Sequence, residues 1–263
     1  MTAGYLLDNR EPAAGRRFAA MSALFDPATF RRITALGIAA GWRVWEVGAG
    51  GETVPRWLAA QVGATGRVLA TDLDTTWMNP EAMAPIEVCR HDVAADPPPA
   101  EQFDLVHARL VLVHVVDRDA ALHAMAATLA PGGWLVIEDA DPALQPLACL
   151  DAIAPEHALA NHIRTGFRAL LAERGAELGF GRTLPRRLRA AGLVDVRAEA
   201  QFPVAMPQLA ALELATIEML RSSLVAKGHA TDDEVDRHVA NVAAGRVEVV
   251  TAPMIAAWGR RRP

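Results

Sequence analysis

A group of glycines directly after a short apolar segment narrows the choice of fold more than any other feature of this chain. Arg43–Val47 has the composition of a buried strand, and the glycine-rich segment 48–51 follows it at once. Thr53–Val62 has a cap-capable threonine and a first-turn proline, which predicts a helix beginning directly after the glycines. Another apolar segment, residues 67–71, ends at Asp72. These segments predict a β-α-β unit with two parallel strands.

The same alternation of strands and helices continues along the chain. Helical patterns at 117–129 and 184–193 separate further short apolar segments. The additional predicted strands are residues 86–90, 103–108, 134–138, 194–198 with an end reaching up to 202, and 254–258. Strands that alternate with helices favour a parallel sheet covered on both faces. The predicted fold class is α/β: a doubly wound, seven-stranded, mostly parallel, Rossmann-like sheet with a helical cap and helical insertions.

The length of 263 residues is compatible with a single domain, 1–263, that carries helical additions. We expect the additions to lie over the carboxyl edge of the sheet as a lid. The predicted parts are a helical cap at 1–40, a core at 41–139, a helical lid insertion at 140–183, further core at 184–203, a second helical insertion at 204–246, and the last strand at 247–263.

Composition excludes several classes of function. The 26 Lys and Arg residues against 31 Asp and Glu residues give a net charge of −5, which disfavours a dedicated nucleic-acid-binding protein. No apolar run approaches the ~20 residues that span a bilayer. Cys89 and Cys149 have no metal-ligand spacing, which indicates a cytoplasmic protein without a metal site. The acidic group Glu138, Asp139 and Asp141 invites a metal interpretation, but no matching ligand set is visible.

Acidic residues and glycines at the predicted strand ends mark a candidate binding site, because open α/β sheets bind ligands at the carboxyl edge of their strands. Asp72 follows Gly48 by 24 residues (72 minus 48), a spacing that suits a carboxylate accepting from ribose hydroxyls, with Asp74 as a second candidate. A nicotinamide dinucleotide is the alternative ligand. Its glycine fingerprint needs a small residue at position 53, where this chain has Thr53, so a ligand with a cationic or zwitterionic end is favoured.

In order and content, these motifs resemble those of class I S-adenosylmethionine-dependent methyltransferases, especially small-molecule enzymes of the actinobacterial kind. The segments that carry the resemblance are EVGAGG at 46–51, VLATDLD at 68–74, HDV at 91–93, FDLVHARLVLVHV at 103–115 and LAPGGWLVIED at 129–139. The chain departs from the family pattern at Glu52, which stands where the third glycine of the first motif is expected.

The resemblance implies S-adenosyl-L-methionine as the cofactor and assigns residues to its parts. Glu46, Gly48 and Gly50 would hold the methionine portion. The remaining cofactor residues would be Asp72 at the ribose, Asp92 and the Val93 amide at the adenine, and His107 and Ala108 beside the transferring methyl group, with Leu73 as a further cofactor contact.

Catalysis of methyl transfer depends chiefly on orienting the nucleophile and excluding water, so a general base is optional. His107 and His162 are the candidates for a base, because histidine titrates near working pH. For His107, a packed imidazole with a positional role is an equally good interpretation. His162 lies in the predicted lid, where this family builds its substrate pocket.

The predicted function is transfer of a methyl group from S-adenosylmethionine to an oxygen or nitrogen of a small molecule, in secondary metabolism. A non-methylating cyclase or binding protein on the same scaffold and a nicotinamide-dependent oxidoreductase are the alternatives. We expect a small-molecule substrate, no nucleic-acid or membrane partner, and a slight preference for a homodimer.

Overall fold

The computed structural model of the chain describes residues 6, 7, 11–79 and 86–263. Within these residues, seven strands form one sheet in the order β3-β2-β1-β4-β5-β7-β6. The five strands from β1 to β5 are parallel to one another in the sheet, whereas β7 runs antiparallel to both β5 and β6. The strands are β1 (Arg43–Val47), β2 (Arg67–Asp72), β3 (Glu87–Arg90), β4 (Phe103–Arg109), β5 (Leu129–Ala140), β6 (Val194–Gln201) and β7 (Met254–Arg260). The predicted α/β fold with a seven-stranded, mostly parallel sheet is confirmed.

Helices connect the strands and form the additions. They are α1 (Pro12–Ala35), α2 (Thr53–Val62), α3 (Arg118–Ala127), α4 (Pro155–Glu173), α5 (Leu184–Ala190), α6 (Pro207–Ala226) and α7 (Asp232–Ala243), with short 3₁₀ helices at Leu112–His114 and Gly181–Thr183. Part of the predicted cap, residues 1–5 and 8–10, lies outside the described residues. Across the part of the chain that the structure describes, no helix is long and apolar enough to cross a membrane.

The chain divides into two compact units. The first, here called the helical unit, comprises Met1–Phe25, Asp141–Gly179 and Phe202–Pro253. The second, the sheet unit, comprises Asp26–Ala140, Phe180–Gln201 and Met254–Pro263. The single-domain organisation with a lid stays a prediction.

The core of the sheet unit explains why its strands are apolar along their whole length. Val44, Leu105 and Val136 on three neighbouring strands are fully buried, as is Leu58 of α2, which packs on them. A parallel strand with helices on both faces has no solvated side, so its residues do not alternate between apolar and polar. This packing aligns the strands so that β1, β2 and β4 end at one edge of the sheet.

Strand β5 is longer than predicted. Residues 131–133 separate the predicted helix 117–129 from the predicted strand 134–138, but they lie inside β5, and Leu129 already pairs with Phe103. The pairing shifts register between Phe103 and Leu105, which accommodates the extra residues as a bulge. A Cβ on Gly133 would lie 2.8 Å from the Phe103 carbonyl oxygen, so the bulge needs glycine there. The proline and glycines are therefore a strand irregularity rather than a turn.

The prediction of helix throughout 140–183 is wrong for its first part. The α4 helix begins only at Pro155, and residues 142–154 form a loop. Pro142 and Pro146 lack the amide hydrogens that a helix interior requires. Asn161 of α4 holds the loop, because its Oδ1 accepts from the amides of Ala148 and Cys149, both at 2.8 Å.

Candidate functional site

The loop between β1 and α2 is shaped by two glycines in the left-handed backbone region. Gly48 and Gly50 both have φ of 64°, which side chains with a Cβ rarely adopt. A Cβ on Gly48 would lie 2.3 Å from Cγ2 of Val111. The site therefore requires glycine at position 48 for space as well as for conformation, and the segment after β4 packs directly on the loop.

Asp72, the last residue of β2, is hydrogen-bonded to this loop. Its Oδ2 accepts from the Gly50 amide at 2.8 Å, and its Oδ1 accepts from the Asp74 amide at 3.0 Å. Burial raises the pKa of Asp72, and the hydrogen bonds from the backbone partly offset this. The structure thus brings together two elements that the sequence predicted separately, the glycine loop and the ribose acid.

The residues predicted for the nucleoside lie at the same edge of the sheet. Arg90 is the register partner of Asp72, so Asp92 and Val93 follow at the end of β3. The Asp92 Oδ1 accepts from the Ala94 amide at 2.9 Å. Leu73 is 52% exposed, an apolar surface directly beside the Asp72 carboxylate. A flat, apolar ring with polar edges fits such a surface.

Glu46 and His107 face each other on neighbouring strands β1 and β4. His107 Nδ1 lies 2.6 Å from Glu46 Oε2, and both side chains are buried. Burial by itself would lower the pKa of His107, but Glu46 and Glu138 outweigh it and raise the pKa to about 9. His107 is therefore a buried cation at neutral pH.

Glu138 of β5 lies on the other side of His107. Its Oε1 accepts from Arg32 of α1 at 2.5 Å and lies 3.4 Å from His107 Nε2, while its Oε2 accepts from the Thr29 hydroxyl at 3.0 Å. Burial would raise the pKa of Glu138, but His107 and the neighbouring arginines lower it to about 2. The carboxylate stays ionised, so buried charges of alternating sign lie beneath the carboxyl edge of the sheet.

This edge therefore has a glycine loop, a buried acid at the end of the second strand, and a second acid in the first strand. Residues 7–198 match a family described as a methyltransferase domain, which is well over half of the chain. The chain belongs to the methyltransferase domain family. The predicted family is thereby confirmed.

Two curated relatives show how far the similarity of this family member extends. It is 33% identical over 198 residues to Methyltransferase str2 of Strobilurus tenacellus, which covers 70% of this chain and 65% of that protein. It is 28% identical over 124 residues to the ubiquinone/menaquinone biosynthesis C-methyltransferase UbiE of Chromobacterium violaceum, covering 44% of this chain and 50% of that protein. The chain thus spans less than two thirds of the length of either relative.

A solved structure shares the fold of this methyltransferase-family chain. Phosphoethanolamine N-methyltransferase 2 of Haemonchus contortus, in complex with phosphomonomethylethanolamine and S-adenosylhomocysteine, matches with a TM-score of 0.58 at 15% identity. The match covers 99% of this chain and 61% of that one. At this identity the likeness shows the fold alone.

Glu52, the departure from the family motif, occupies the N-cap position of α2, so the expected cap at Thr53 is wrong by one residue. Glu52 makes no capping bond of its own. Its Oε1 accepts from the Asn79 amide at 3.1 Å and its Oε2 accepts from Arg56 at 2.8 Å. These partners lower the pKa of Glu52, with the Asn79 amide as the largest cause. The carboxylate thus ties the loop to the segment after β2.

His162, the second predicted base, belongs to the helical unit rather than to the sheet unit that holds the residues above. Its side chain is half exposed, and its Nε2 lies 3.9 Å from Glu234 Oε1. It lines a cavity of about 490 Å³ between α4 and α7 together with Pro155, Glu156, Ala158, Leu159, Glu234, Arg237, Asn241 and Arg246. The structure therefore does not group His162 with the glycine loop.

Two functional contacts had no usable signal in the sequence. Glu138 belonged to an acidic group that invited a metal interpretation, yet its partners are Arg32 and His107. Asp139 is fully buried, and its Oδ2 accepts from the Val113 amide at 3.3 Å in the turn after β4. Burial raises the pKa of Asp139 well above its usual range despite that hydrogen bond. Among the described residues, no group of three or more His, Cys, Asp or Glu is arranged to hold a metal ion.

Proposed function

We propose that this chain transfers a methyl group from S-adenosyl-L-methionine to a small molecule. The observation that carries the proposal is the hydrogen bond between the Asp72 carboxylate and the Gly50 amide, which joins a ribose acid to a glycine loop. Family membership and the S-adenosylhomocysteine complex of a protein with the same fold support the predicted enzyme class and cofactor.

The residues at the edge fit a nucleoside with an amino-acid end. Asp72 accepts from the ribose hydroxyls, since each carboxylate oxygen retains a lone pair beyond its backbone bond. Leu73 packs against the adenine, and Asp92 with the Val93 amide binds its polar edge. Glu46 supplies the negative charge that an ammonium group requires, and Gly48 and Gly50 let the backbone approach it.

S-adenosylmethionine supplies a methyl group on a sulfonium that is already activated. The chain's own residues bind the donor, orient the acceptor and exclude water. We assign His107 the positional role, because a base must begin the reaction unprotonated and His107 is held protonated between two carboxylates. Its neighbour Ala108 lies beside the transferring methyl group. His162 remains the candidate for a base or a substrate contact, because its imidazole is accessible.

The acceptor is proposed to be an oxygen or nitrogen of a small molecule of secondary metabolism, methylated in the cytoplasm by a chain with a slight preference for a homodimer. Neither a nucleic-acid nor a membrane partner is part of the proposal. The proteins similar to this chain include a C-methyltransferase and, by fold, an N-methyltransferase, so the acceptor atom has to be found by experiment. Incubation of candidate acceptors with a methyl-labelled donor tests this directly. Product formed without consumption of the donor would favour the cyclase alternative.

Isothermal titration with S-adenosylhomocysteine tests the cofactor site. We expect the wild type to bind and Asp72→Asn to raise the Kd roughly tenfold to a hundredfold, because hydrogen bonds to a charged group are lost. Asp74→Asn is the matched control, since the Asp74 carboxylate bonds locally to Thr76 and the variant should bind like the wild type. An unchanged Kd in Asp72→Asn, or stronger thermal stabilisation of the wild type by NAD than by S-adenosylhomocysteine, would contradict the assignment.

A further inference from the structure

Four buried side chains of alternating charge form a row through the sheet unit. Arg32 Nη1 donates to Glu138 Oε1, and His107 Nε2 lies 3.4 Å from that same oxygen. His107 Nδ1 in turn lies 2.6 Å from Glu46 Oε2. Each of the four residues is at most 4% exposed. The set Arg32, Glu138, His107 and Glu46 is called the charge row below.

The geometry around His107 favours the imidazolium form. Only the imidazolium carries a proton on both ring nitrogens, and here each nitrogen faces a carboxylate, Glu46 on one side and Glu138 on the other. His107 Nε2 has no hydrogen-bond partner of good geometry among the described residues, so its contact with Glu138 is an ion pair. A buried charge is costly unless it is paired, and the alternating signs supply a partner for every member.

The end of the charge row lies at the cofactor site. Glu46 is two residues before Gly48, the glycine against which Val111 packs. The bond from His107 uses Glu46 Oε2, so it determines the direction of the second oxygen, Oε1. Because the row is continuous, the orientation of the Glu46 side chain depends on residues that do not themselves reach the site.

Other charged groups also face the row. Arg32 Nη2 bonds Glu199 of β6 at 2.6 Å. Arg109 donates to the Thr29 hydroxyl at 3.1 Å and to Asp26 at 2.7 Å. These contacts neutralise the outer end of the row, so that Glu138 is held as a carboxylate that faces His107.

We propose that Arg32, Glu138 and His107 are positioning residues that hold the Glu46 carboxylate oriented toward the ammonium end of the cofactor. This inference rests on the proposed function. The competing explanation is that the row only anchors the second half of α1 to the sheet. The two explanations differ in ligand selectivity, because anchoring affects every ligand of the site, whereas Glu46 affects only ligands that carry the ammonium group.

Two related probes separate these explanations. S-adenosylhomocysteine has the amino-acid end, and 5′-methylthioadenosine is the same nucleoside thioether without it. We expect Glu138→Gln to raise the Kd for S-adenosylhomocysteine roughly tenfold and to change the Kd for 5′-methylthioadenosine by no more than about twofold, as measured by isothermal titration at pH 7.5. Arg31→Met is the matched control, because Arg31 is the sequence neighbour of Arg32 and its exposed side chain bonds Glu199, which lies outside the charge row. It should leave both affinities unchanged.

A milder variant covers the case in which Glu138→Gln does not fold. Thr29→Val removes the hydroxyl that donates to Glu138 Oε2 and accepts from Arg109, and it should shift the same ratio of affinities in the same direction by about threefold. Equal loss of both ligands, or no loss in a folded variant, would overturn the positioning role while leaving the proposed function intact. A wild type that binds 5′-methylthioadenosine as tightly as S-adenosylhomocysteine would also overturn it. Failure of the wild type to bind either probe would overturn the proposed function itself.

Discussion

Each compact unit holds, within the described residues, a buried glutamate between an arginine and a histidine, and the two groups differ in what they connect. In the helical unit, Glu213 of α6 accepts from Arg164 of α4 at 2.7 Å and lies 2.9 Å from His238 Nε2 of α7. Arg164 also donates to the Val250 carbonyl. In the sheet unit, Glu138 lies between Arg32 and His107. The same three residue types thus tie three helices together in one unit and a helix to two strands in the other.

The difference lies in the histidine. His238 Nδ1 is buried without a hydrogen-bond partner among the described residues, so the helical group ends there. His107 continues to Glu46, because parallel neighbours in a sheet place side chains of adjacent strands side by side. A buried ionic group is weak evidence for function by itself, because it stabilises packing in either case. The charge row differs from the group around Glu213 because it continues into β1, the strand that leads to the glycine loop.

Removal of either central carboxylate tests this comparison with the largest expected effect. Glu138→Ala and Glu213→Ala should each lower the free energy of unfolding by about 3–5 kcal/mol, because each removes the buried carboxylate that pairs with a buried arginine and a histidine. Urea unfolding measures both losses. Stabilisation by S-adenosylhomocysteine in a thermal melt should persist in Glu213→Ala and shrink in Glu138→Ala. Equal ligand stabilisation in the two variants would remove the functional distinction between the groups.

Alkaline pH should weaken the sheet unit through His107. The pKa of His107 is about 9 in the folded chain, against an ordinary pKa of 6.5. Its contribution to the free energy of unfolding is therefore fully present below pH 6.5 and is lost as pH rises through 9. This change in pKa corresponds to about 3 kcal/mol of unfolding free energy. Urea unfolding at pH 6.5 and pH 9.5 should reveal this loss in the wild type and in the control His238→Gln. His107→Gln should lack most of it, and a pH dependence equal to that of the wild type would show that His107 is not the source of the loss.

Acid should weaken both groups together. Glu138 and Glu213 each have a pKa lowered to about 2, against the ordinary 4.5, because the neighbouring cations outweigh the effect of burial. Their contributions to the free energy of unfolding are therefore present above pH 4.5 and are lost as pH falls toward 2. Urea unfolding between pH 5 and pH 3 should show less loss in Glu138→Gln and in Glu213→Gln than in the wild type, by roughly 1–2 kcal/mol each. A loss in either variant as steep as that of the wild type would place the acid sensitivity elsewhere.

The hydroxyl beside Glu138 gives a smaller test. Thr29→Val should cost about 1–2 kcal/mol of unfolding free energy, because the hydroxyl donates to a buried carboxylate. Thr216→Val is the matched change in the helical unit, where the Thr216 hydroxyl bonds the Leu212 carbonyl one turn earlier in its own helix. We expect that change to cost less than about 0.5 kcal/mol, since the carbonyl keeps its helical partner. Similar costs at both positions would mean that the charge of Glu138 adds nothing to the bond.

Local signals made much of the sheet unit predictable. The glycine loop, Asp72 and the strand ends were predicted because glycine clusters, apolar runs and acids at fixed spacing are local sequence patterns, which can be recognised without knowing the strand order. The loop 142–154 was mistaken for helix because its alanine and leucine content outweighed two prolines. The bulge in β5 was mistaken for a turn for a similar reason, since a Pro-Gly-Gly segment signals a turn when its pairing partner is unknown.

The charge row was not predictable, because every one of its contacts depends on strand order and register. His107 meets Glu46 only because β4 lies beside β1, and it meets Glu138 only because β5 lies on the other side of β4. Arg32 and Glu138 are separated by 106 positions in the sequence. A histidine at a strand end therefore supported two interpretations, a base and a packed imidazole, until its neighbours were known.

Exposed ion pairs provide the smallest effect and show whether burial is what gives both groups their strength. Arg221 of α6 pairs with Asp232 and Asp236 of α7, and all three side chains are at least 37% exposed. Arg221→Ala should change the free energy of unfolding by less than about 1 kcal/mol, and the change should shrink further in high salt, because water and ions screen the pair. The pair links α6 to α7, as the buried contact of Glu213 with His238 does. A cost comparable to that of Glu213→Ala would mean that the number of ion pairs, rather than their burial, stabilises the helical unit, and the comparison with the charge row would then lose its physical basis.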